Sequence, residues 1–313
     1  MPADSPAADS WWPVPGLVTV VTDSAASLPV GEPASASVIV VPLRLLAGDV
    51  VVDDGAPGAA AEIEAAAARG EKLTTARPAP AQFAAAYRRA SEAGAPAVLS
   101  VHVSGLLSGT VSSAALAAAD SPIPVRLLDA RTIGSGLGLV VLSAAAAALA
   151  GHGLDAVASA ASACANQVGS FFAVERPDAL VAGGRAAGAE AGRSDGQLDE
   201  AAPRAPRLVA RTVLQVSSGR IGIVDRVRTW AGAAGLLARS AGDLVAGLPA
   251  GASADVVIEH IAAGGRADAL AAHLSAGLPL VRRMSVVTAG TAIGVHTGPM
   301  MLGVSVAPSP AVG

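Results

Sequence analysis

Short valine-rich apolar runs that end in glycine, hydroxyl or acidic residues, each followed by an alanine-rich helical stretch, set the rhythm of the first half of the chain. Leu17–Thr22 (LVTVVT) predicts a strand running into Asp23-Ser24, and Val38–Leu46 (VIVVPLRLL) predicts the next strand, followed by an acidic turn at Asp49, Asp53 and Asp54. Ala59–Arg69 has a helical pattern, Thr75–Pro80 is a loop leading into a helix N-terminus, and Gln82–Glu92 is a second helix with proline tolerated in its first turn. Val125–Leu128 is a strand ending at Asp129. Strand, loop and helix recur in this way up to about Val168, the pattern of a parallel α/β sheet.

The stretch Val98–Ala117 carries the most chemistry. An apolar, β-branched run breaks into Ser104-Gly105-Leu106-Leu107-Ser108-Gly109-Thr110 and resumes as a helix from Val111. Glycine lets a ligand approach the backbone, the first N–H groups of the helix lack partners, and the helix dipole favours negative charge. The same residues also suit an ordinary βα loop in which Ser108 or Thr110 caps the helix. Several such loops at strand C-termini would meet along one edge, where open α/β sheets bind ligands.

The second half has a different rhythm. Phe171–Val174 predicts a strand, Asp178–Val181 a helix, Gly183-Gly184-Arg185 a turn, and 186–206 a polar loop expected to be mobile. Val209–Val216 and Ile221–Val227 flank Ser217-Ser218-Gly219-Arg220 with hairpin character. Ala231–Ala246 is a helix, Ala254–His260 a strand, Arg266–Ala276 a helix and Val286-Val287 a strand, before Gly290–Gly294 and Val295-His296-Thr297-Gly298-Pro299. The expected division is a disordered tail at 1–16, a parallel-sheet α/β domain at 17–168 and a mixed-sheet α/β domain at 169–313.

Composition narrows the classes. At 313 residues the chain is long enough for two cores, built from Ala, Val, Leu and Ile because aromatics are only 2%. The net charge of −4 gives no reason to expect nucleic acid or an anionic membrane as partner. Cys164 is the only cysteine, which fits a reducing cytoplasm and gives no zinc pair. The first sixteen residues have no basic region before an apolar run, so no signal peptide is expected. Thr132–Leu154 lacks Asp, Glu, Lys and Arg over a bilayer-spanning length, but its alanines and glycines favour a buried helix.

Competing chemistries lack their signatures. No GxSxG elbow or P-loop occurs, and nothing in the sequence pairs His102, His260 or His296 with a serine. Gly134-Ser135-Gly136-Leu137-Gly138 has GxGxG where a dinucleotide loop needs GxGxxG, so tight helix packing is the expectation. The acidic turn is expected to be a solvated loop rather than a metal site. An enzyme or binding protein for a small phosphate-containing ligand stays open, since a hydroxyl loop on a helix N-terminus also suits phosphate.

The ordered set VVTDSAASLP (20–29), VVPLRLL (40–46), TTARPAPAQF (74–83), VSGLLSGTVSSA (103–114), LLDARTIGSGLG (127–138), GGR (183–185), SGRIGIVDRVRT (218–229) and VHTGP (295–299) resembles the DegV family of bacterial fatty-acid-binding proteins. The resemblance implies a two-domain α/β fold enclosing one long-chain fatty acid between the domains, with no cofactor, no metal and no catalytic residue of its own. It implies that Thr75, Ser104 with Gly105 and Ser108, and His296 bind the carboxylate. It also implies that a separate ATP-dependent fatty acid kinase phosphorylates the bound acid, with Arg185 and Arg228 contacting the partner or its phosphate. Departures from the family pattern are Ala76 after Thr75, Gly105 where a second serine is common, Met300 in place of a glycine, and Arg211-Thr212-Val213-Leu214 for a Lys-Pro-Ile-Leu segment. A buried methylene contributes roughly 0.8 kcal/mol, so affinity for such a ligand comes mainly from a dry tunnel. No arginine is expected among the two hydroxyl clusters.

Overall fold

The computed structural model describes residues 14–31, 34, 37–175, 177, 180, 186–187, 210–249 and 251–310. Four strands, β1 (Thr19–Asp23), β2 (Val38–Val41), β6 (Val98–His102) and β7 (Val125–Asp129), form a parallel sheet in the order β2-β1-β6-β7. All five residues of β1 and of β6 are buried, which explains why both read as continuous apolar runs rather than alternating ones. The chain moves outward in one direction from β1 to β2 and in the other from β6 to β7. The switch point therefore lies between β1 and β6, and the loops after Asp23 and His102 open there.

The single strand expected over Val38–Leu46 is two. Pro42 follows β2, and the chain turns away to form β3 (Arg44–Ala47), which pairs antiparallel with β4 (Val50–Asp53) and β5 (Leu73–Ala76). Leu43 marks the exit, its N–H donating to Ser24 Oγ at 3.0 Å. The segment around Thr75 is thus a strand, paired Leu45 to Thr75, and not the loop its polar residues suggest. Proline interrupts one ladder, and the freed strand finds another.

Seven strands form a mixed sheet, β13-β12-β14-β8-β10-β11-β9. They are β8 (Gly169–Val174), β9 (Ala186–Ala187), β10 (Arg211–Ser217), β11 (Arg220–Val227), β12 (Ala254–His260), β13 (Val281–Thr288) and β14 (Leu302–Pro308). The expected hairpin is present, with Ser217 paired to Arg220 across Ser218 and Gly219. Both turn residues have positive φ, 49° and 82°, as two-residue hairpin turns that follow the strand twist require. The terminal strand β14 (LGVSVAP) starts three residues after Pro299 and has no counterpart among the expected strands.

Helices cover the sheets. The chain runs α1 (Ala59–Ala68), α2 (Pro80–Glu92), α3 (Thr110–Ala118), α4 (Ser135–Leu149), α5 (Leu154–Gln167), α6 (Trp230–Ala246), α7 (Gly264–Gly277) and α8 (Thr291–Thr297). Along β12, Ala254, Val256 and Ile258 join the core under α6 and α7, while Val257 joins the core built around α4. Helix α4 packs against both large sheets, and eleven of its fifteen residues are buried. A helix walled on every side is apolar all round, which accounts for the uncharged stretch over 132–154. Among the described residues no helix is long and apolar enough to cross a membrane.

The glycines that open α4 serve this packing. A Cβ at Gly138 would stand 2.6 Å from the backbone oxygen of Ser27, and one at Gly136 would collide with Ser170 Oγ. Gly134 has φ of 65° and bonds the Ala25–Ser27 segment in both directions, its N–H to Ala25 O and its O from Ser27 N.

Candidate functional site

A cavity opens beyond the C-terminal ends of β1 and β6, facing the mixed sheet and α8. Much of its wall is Leu43, Val103, Leu107, Phe172, Ile293 and Met301. Most of these are core positions that the rest of the fold already buries.

Three of the sequence-derived site residues meet there. Thr75, Ser108 and His296 all line the cavity. On β5 the alternation turns Leu73 and Thr75 inward and Thr74 and Ala76 outward, so the alanine departure falls on the outer face. Thr75 Oγ1 and His296 Nε2 share a hydrogen bond of 2.8 Å. Ser108 Oγ is 2.8 Å from Thr110 Oγ1 at the start of α3. Gly109 occupies the N-cap of α3 and no side chain caps the helix, so neither hydroxyl acts as the cap.

Ser104 and Gly105 stand outside the cavity wall. The Ser104 side chain is fully buried; its Oγ donates to Gly219 O at 2.8 Å and accepts from Leu106 N at 3.2 Å. It thereby docks the β10–β11 hairpin onto the first sheet, and a Cβ at Gly219 would stand 2.6 Å from that hydroxyl. Gly105 N–H donates to Asp129 Oδ2 at 3.1 Å. Arg228 is exposed, with its carbonyl accepting from Arg211 Nη1 at 3.0 Å, and it does not reach the cavity. Arg185 lies outside the described residues, as do the expected helix at 178–181 (apart from Leu180) and the polar loop at 186–206 (apart from Ala186–Ala187).

The expectation that no arginine attends the hydroxyl clusters needs correction. The exposed guanidinium of Arg77 lies against Gly109, between Ser108 and Thr110, where any Cβ would collide with its Nη1. Arg77 is two residues beyond Thr75 in a strand end that turns toward α3, a proximity that only the β3–β5 pairing creates.

The structure also pairs a histidine with a serine, which the sequence did not announce. Asp23 Oδ2 lies 3.0 Å from His102 Nδ1, His102 Nε2 lies 2.7 Å from Ser100 Oγ, and Ser100 Oγ lies 2.9 Å from Tyr87 OH. The order of groups is that of a hydrolytic triad. All four side chains are buried and none lines the cavity, so no substrate carbonyl has a path to Ser100. Asp23 also accepts from Val103 N at 3.0 Å and Ala25 N at 3.1 Å. The network ties together the two loops that frame the cavity, and its role is structural.

The acidic turn divides: Asp49 is exposed and Asp53 half-exposed, as a solvated turn would have them, while Asp54 is buried. Asp53 pairs with Arg44 at 2.9 Å, and Asp54 Oδ1 accepts from Ala292 N at 3.3 Å. Burial raises the Asp54 carboxyl above the usual range, against the lowering effect of its hydrogen bonds from Ser24 and the start of α8. Among the described residues no group of His, Cys, Asp and Glu is arranged to hold a metal ion. Burial also pushes the Cys164 thiol up to about 12, so it is not a nucleophile at neutral pH.

Sequence reading missed a second polar group in the cavity. Glu259 lines it together with Ser135, Ser170 and Ser305. The Glu259 carboxyl accepts from Ser27 Oγ and from Ser135 N, the latter at 2.9 Å. Burial raises its pKa, opposed by those same donors. The signal in ADVVIEH was a second acidic residue, Glu259, on the same strand face as Asp255 and Val257.

Comparison with known proteins agrees with this architecture. A family model described as "Uncharacterised protein, DegV family" matches residues 17–309. A DegV domain-containing protein of Streptomyces coelicolor is 36% identical over 289 residues, covering 92% of this chain and 98% of that one. One from Mycobacterium tuberculosis is 33% identical over 290 residues, with 92% and 96% covered. Among solved structures, a fatty-acid-binding DegV family protein from Thermus thermophilus superposes with a TM-score of 0.81 at 29% identity, over 94% of this chain and all of that one. DegV of Bacillus subtilis, a fatty acid binding protein, shares the fold with a TM-score of 0.74 at 22% identity, over 94% and 99%. With the match running from the first strand of the parallel sheet to the last of the mixed sheet, the chain belongs to the DegV family.

Proposed function

We propose that this protein is a non-catalytic carrier of one long-chain fatty acid, held between an N-terminal domain (17–168) and a C-terminal domain (169–313). The observation that carries the reading is the cavity itself: a largely apolar chamber with Thr75, Ser108 and His296 in its wall. An acyl chain fills such a space and contributes roughly 0.8 kcal/mol for each buried methylene. The carboxylate then takes donors from the Thr75–His296 pair and Ser108, with the Arg77 guanidinium against Gly109, the residue after Ser108. A small phosphate ligand has no use for the apolar remainder of the wall, which favours the lipid over that alternative. The fatty acid binding of the Thermus thermophilus relative supports the same reading.

The second half of the proposal is that a separate ATP-dependent fatty acid kinase in the cytoplasm phosphorylates the presented carboxylate, with Arg185 and Arg228 as contacts. Support for it is the resemblance of the GGR and R-T segments, together with the exposure of Arg228. Native mass spectrometry of the purified protein, followed by lipid extraction, tests the first half; the expected result is one copurifying fatty acid, and saturable binding of a nucleotide without fatty acid would sink it. Incubation of the loaded protein with ATP, with and without the cognate kinase, tests the second. Acyl phosphate is expected only with the kinase, and Arg185→Ala or Arg228→Ala should lower its yield without lowering lipid content. Product formed by the isolated protein would overturn the carrier reading.

A further inference from the structure

The cavity has a polar patch that the carboxylate does not need. Alternation along β12 turns Glu259 toward α4, on the same side as Val257, and the pairing of β14 with β8 sets Ser305 directly opposite Ser170. Ser305 Oγ donates to Ser170 Oγ at 2.8 Å and lies 2.8 Å from Ser135 Oγ, while Ser135 N–H donates to Glu259. Glu259, Ser135, Ser170 and Ser305 are each buried or within the strand core, yet each faces the cavity. The Thr75–His296 pair belongs to other elements, β5 and α8, so the two polar groups are separately built.

A plain hydrocarbon is a poor neighbour for this wall. Laid across a carboxyl and three hydroxyls, it strips them of water and returns no hydrogen bond, which costs free energy for each polar group left short. The three serine hydroxyls bond one another in a chain, and Ser135 also bonds Glu259 through its side chain. The Glu259 carboxyl accepts from Ser27 Oγ and Ser135 N and bonds the Ser135 side chain as well, which leaves one of its roughly four lone-pair sites. The patch thus offers a buried acceptor for the O–H of an alcohol.

We propose that this patch is a subsite for a hydroxyl borne on the acyl chain, so that the protein selects hydroxylated long-chain fatty acids over unsubstituted ones. The proposal rests on the fatty acid reading above and adds the class of acid. Burial raises the Glu259 pKa and so favours its neutral carboxyl, which can face an alcohol as acceptor or as donor.

The test is titration of delipidated full-length protein with stearate, 10-hydroxystearate and 12-hydroxystearate, followed by calorimetry and native mass spectrometry. At least one hydroxy acid should bind about tenfold or more tightly than stearate, the effect of one hydrogen bond to a buried polar group. Ser170→Ala and, separately, Glu259→Gln should bring that ratio toward one; the ratio within each variant is its own control for folding. Stearate binding equal to or tighter than both hydroxy acids, with the ratio unmoved in the variants, overturns the subsite and leaves the carrier reading intact. Binding of none of the three acids overturns both.

Discussion

Replacing Thr75 with valine removes one hydroxyl from the cavity and leaves the strand pairing and shape of β5 almost unchanged. The hydroxyl is 2.8 Å from His296 Nε2, and both side chains face the space assigned to the carboxylate. A hydrogen bond to an ionised acceptor is worth about 1.5–3 kcal/mol. The loss should therefore raise Kd for a fatty acid about 10- to 150-fold. Lost packing or a shifted His296 would also raise Kd, so the informative assay is a cycle. Palmitate and hexadecanol, which share the chain and differ in the head, are titrated into wild type and Thr75→Val. The alcohol does not carry the charge, so the variant should cost it much less than it costs the acid, with a coupling of about 1–2 kcal/mol. Shortening the acid by two methylenes should cost about 1.6 kcal/mol in both proteins, because the tail is buried independently of Thr75. A coupling below about 0.5 kcal/mol between Thr75 and the head group, within ordinary additivity, would refute the assignment of the carboxylate to this end of the cavity.

Three further predictions concern the scaffold. Gly138→Ala should destabilise the protein by about 1–3 kcal/mol, since its Cβ would stand 2.6 Å from the backbone oxygen of Ser27 and backbone cannot swing aside; an unchanged urea midpoint would show that the α4–loop contact relaxes freely. Met300→Gly should stabilise by about 0.5–1 kcal/mol, because Met300 holds φ of 68°, a conformation that costs a residue with a Cβ; a fall in Tm would mean that the lost side-chain packing outweighs the relieved strain. Glu259 has a folded pKa above its unfolded value near 4.5, so the native state retains a proton that the unfolded chain has released, and stability falls as pH rises from there through the folded pKa. Urea unfolding at pH 5.5 and pH 8 should show a smaller drop for Glu259→Gln than for wild type; equal drops would mean that other groups, Asp54 among them, carry the dependence.

Periodicity by itself determined the alternation of buried strands and helices in the first half, the hairpin around Ser218-Gly219, and the exact span of β12, because these are local consequences of side-chain pattern and turn chemistry. It also pointed to a packed α4, since an uncharged, alanine- and glycine-rich stretch is stable only where every face is covered. Motif order gave the family resemblance and put Thr75, Ser104, Gly105, Ser108 and His296 forward as one group, of which Thr75, Ser108 and His296 line the cavity. Tertiary structure decided the rest. Whether a polar residue faces a cavity or a neighbouring loop depends on strand pairing between distant segments, and a one-residue change of face is invisible in composition. So Ser104, identical in kind to Ser108 and four residues away, spends its hydroxyl on the hairpin carbonyl of Gly219, while Ser108 reaches the cavity. Pro42 sent β3 to a separate sheet and thereby carried Arg77 to Gly109. Asp23, His102 and Ser100 line up like a triad only because β1 and β6 are adjacent, and their burial is what keeps the arrangement structural. Glu259 entered the cavity because β12 is buried on both faces and its odd positions turn toward α4, a direction fixed by the partners of the strand and not by its own residues.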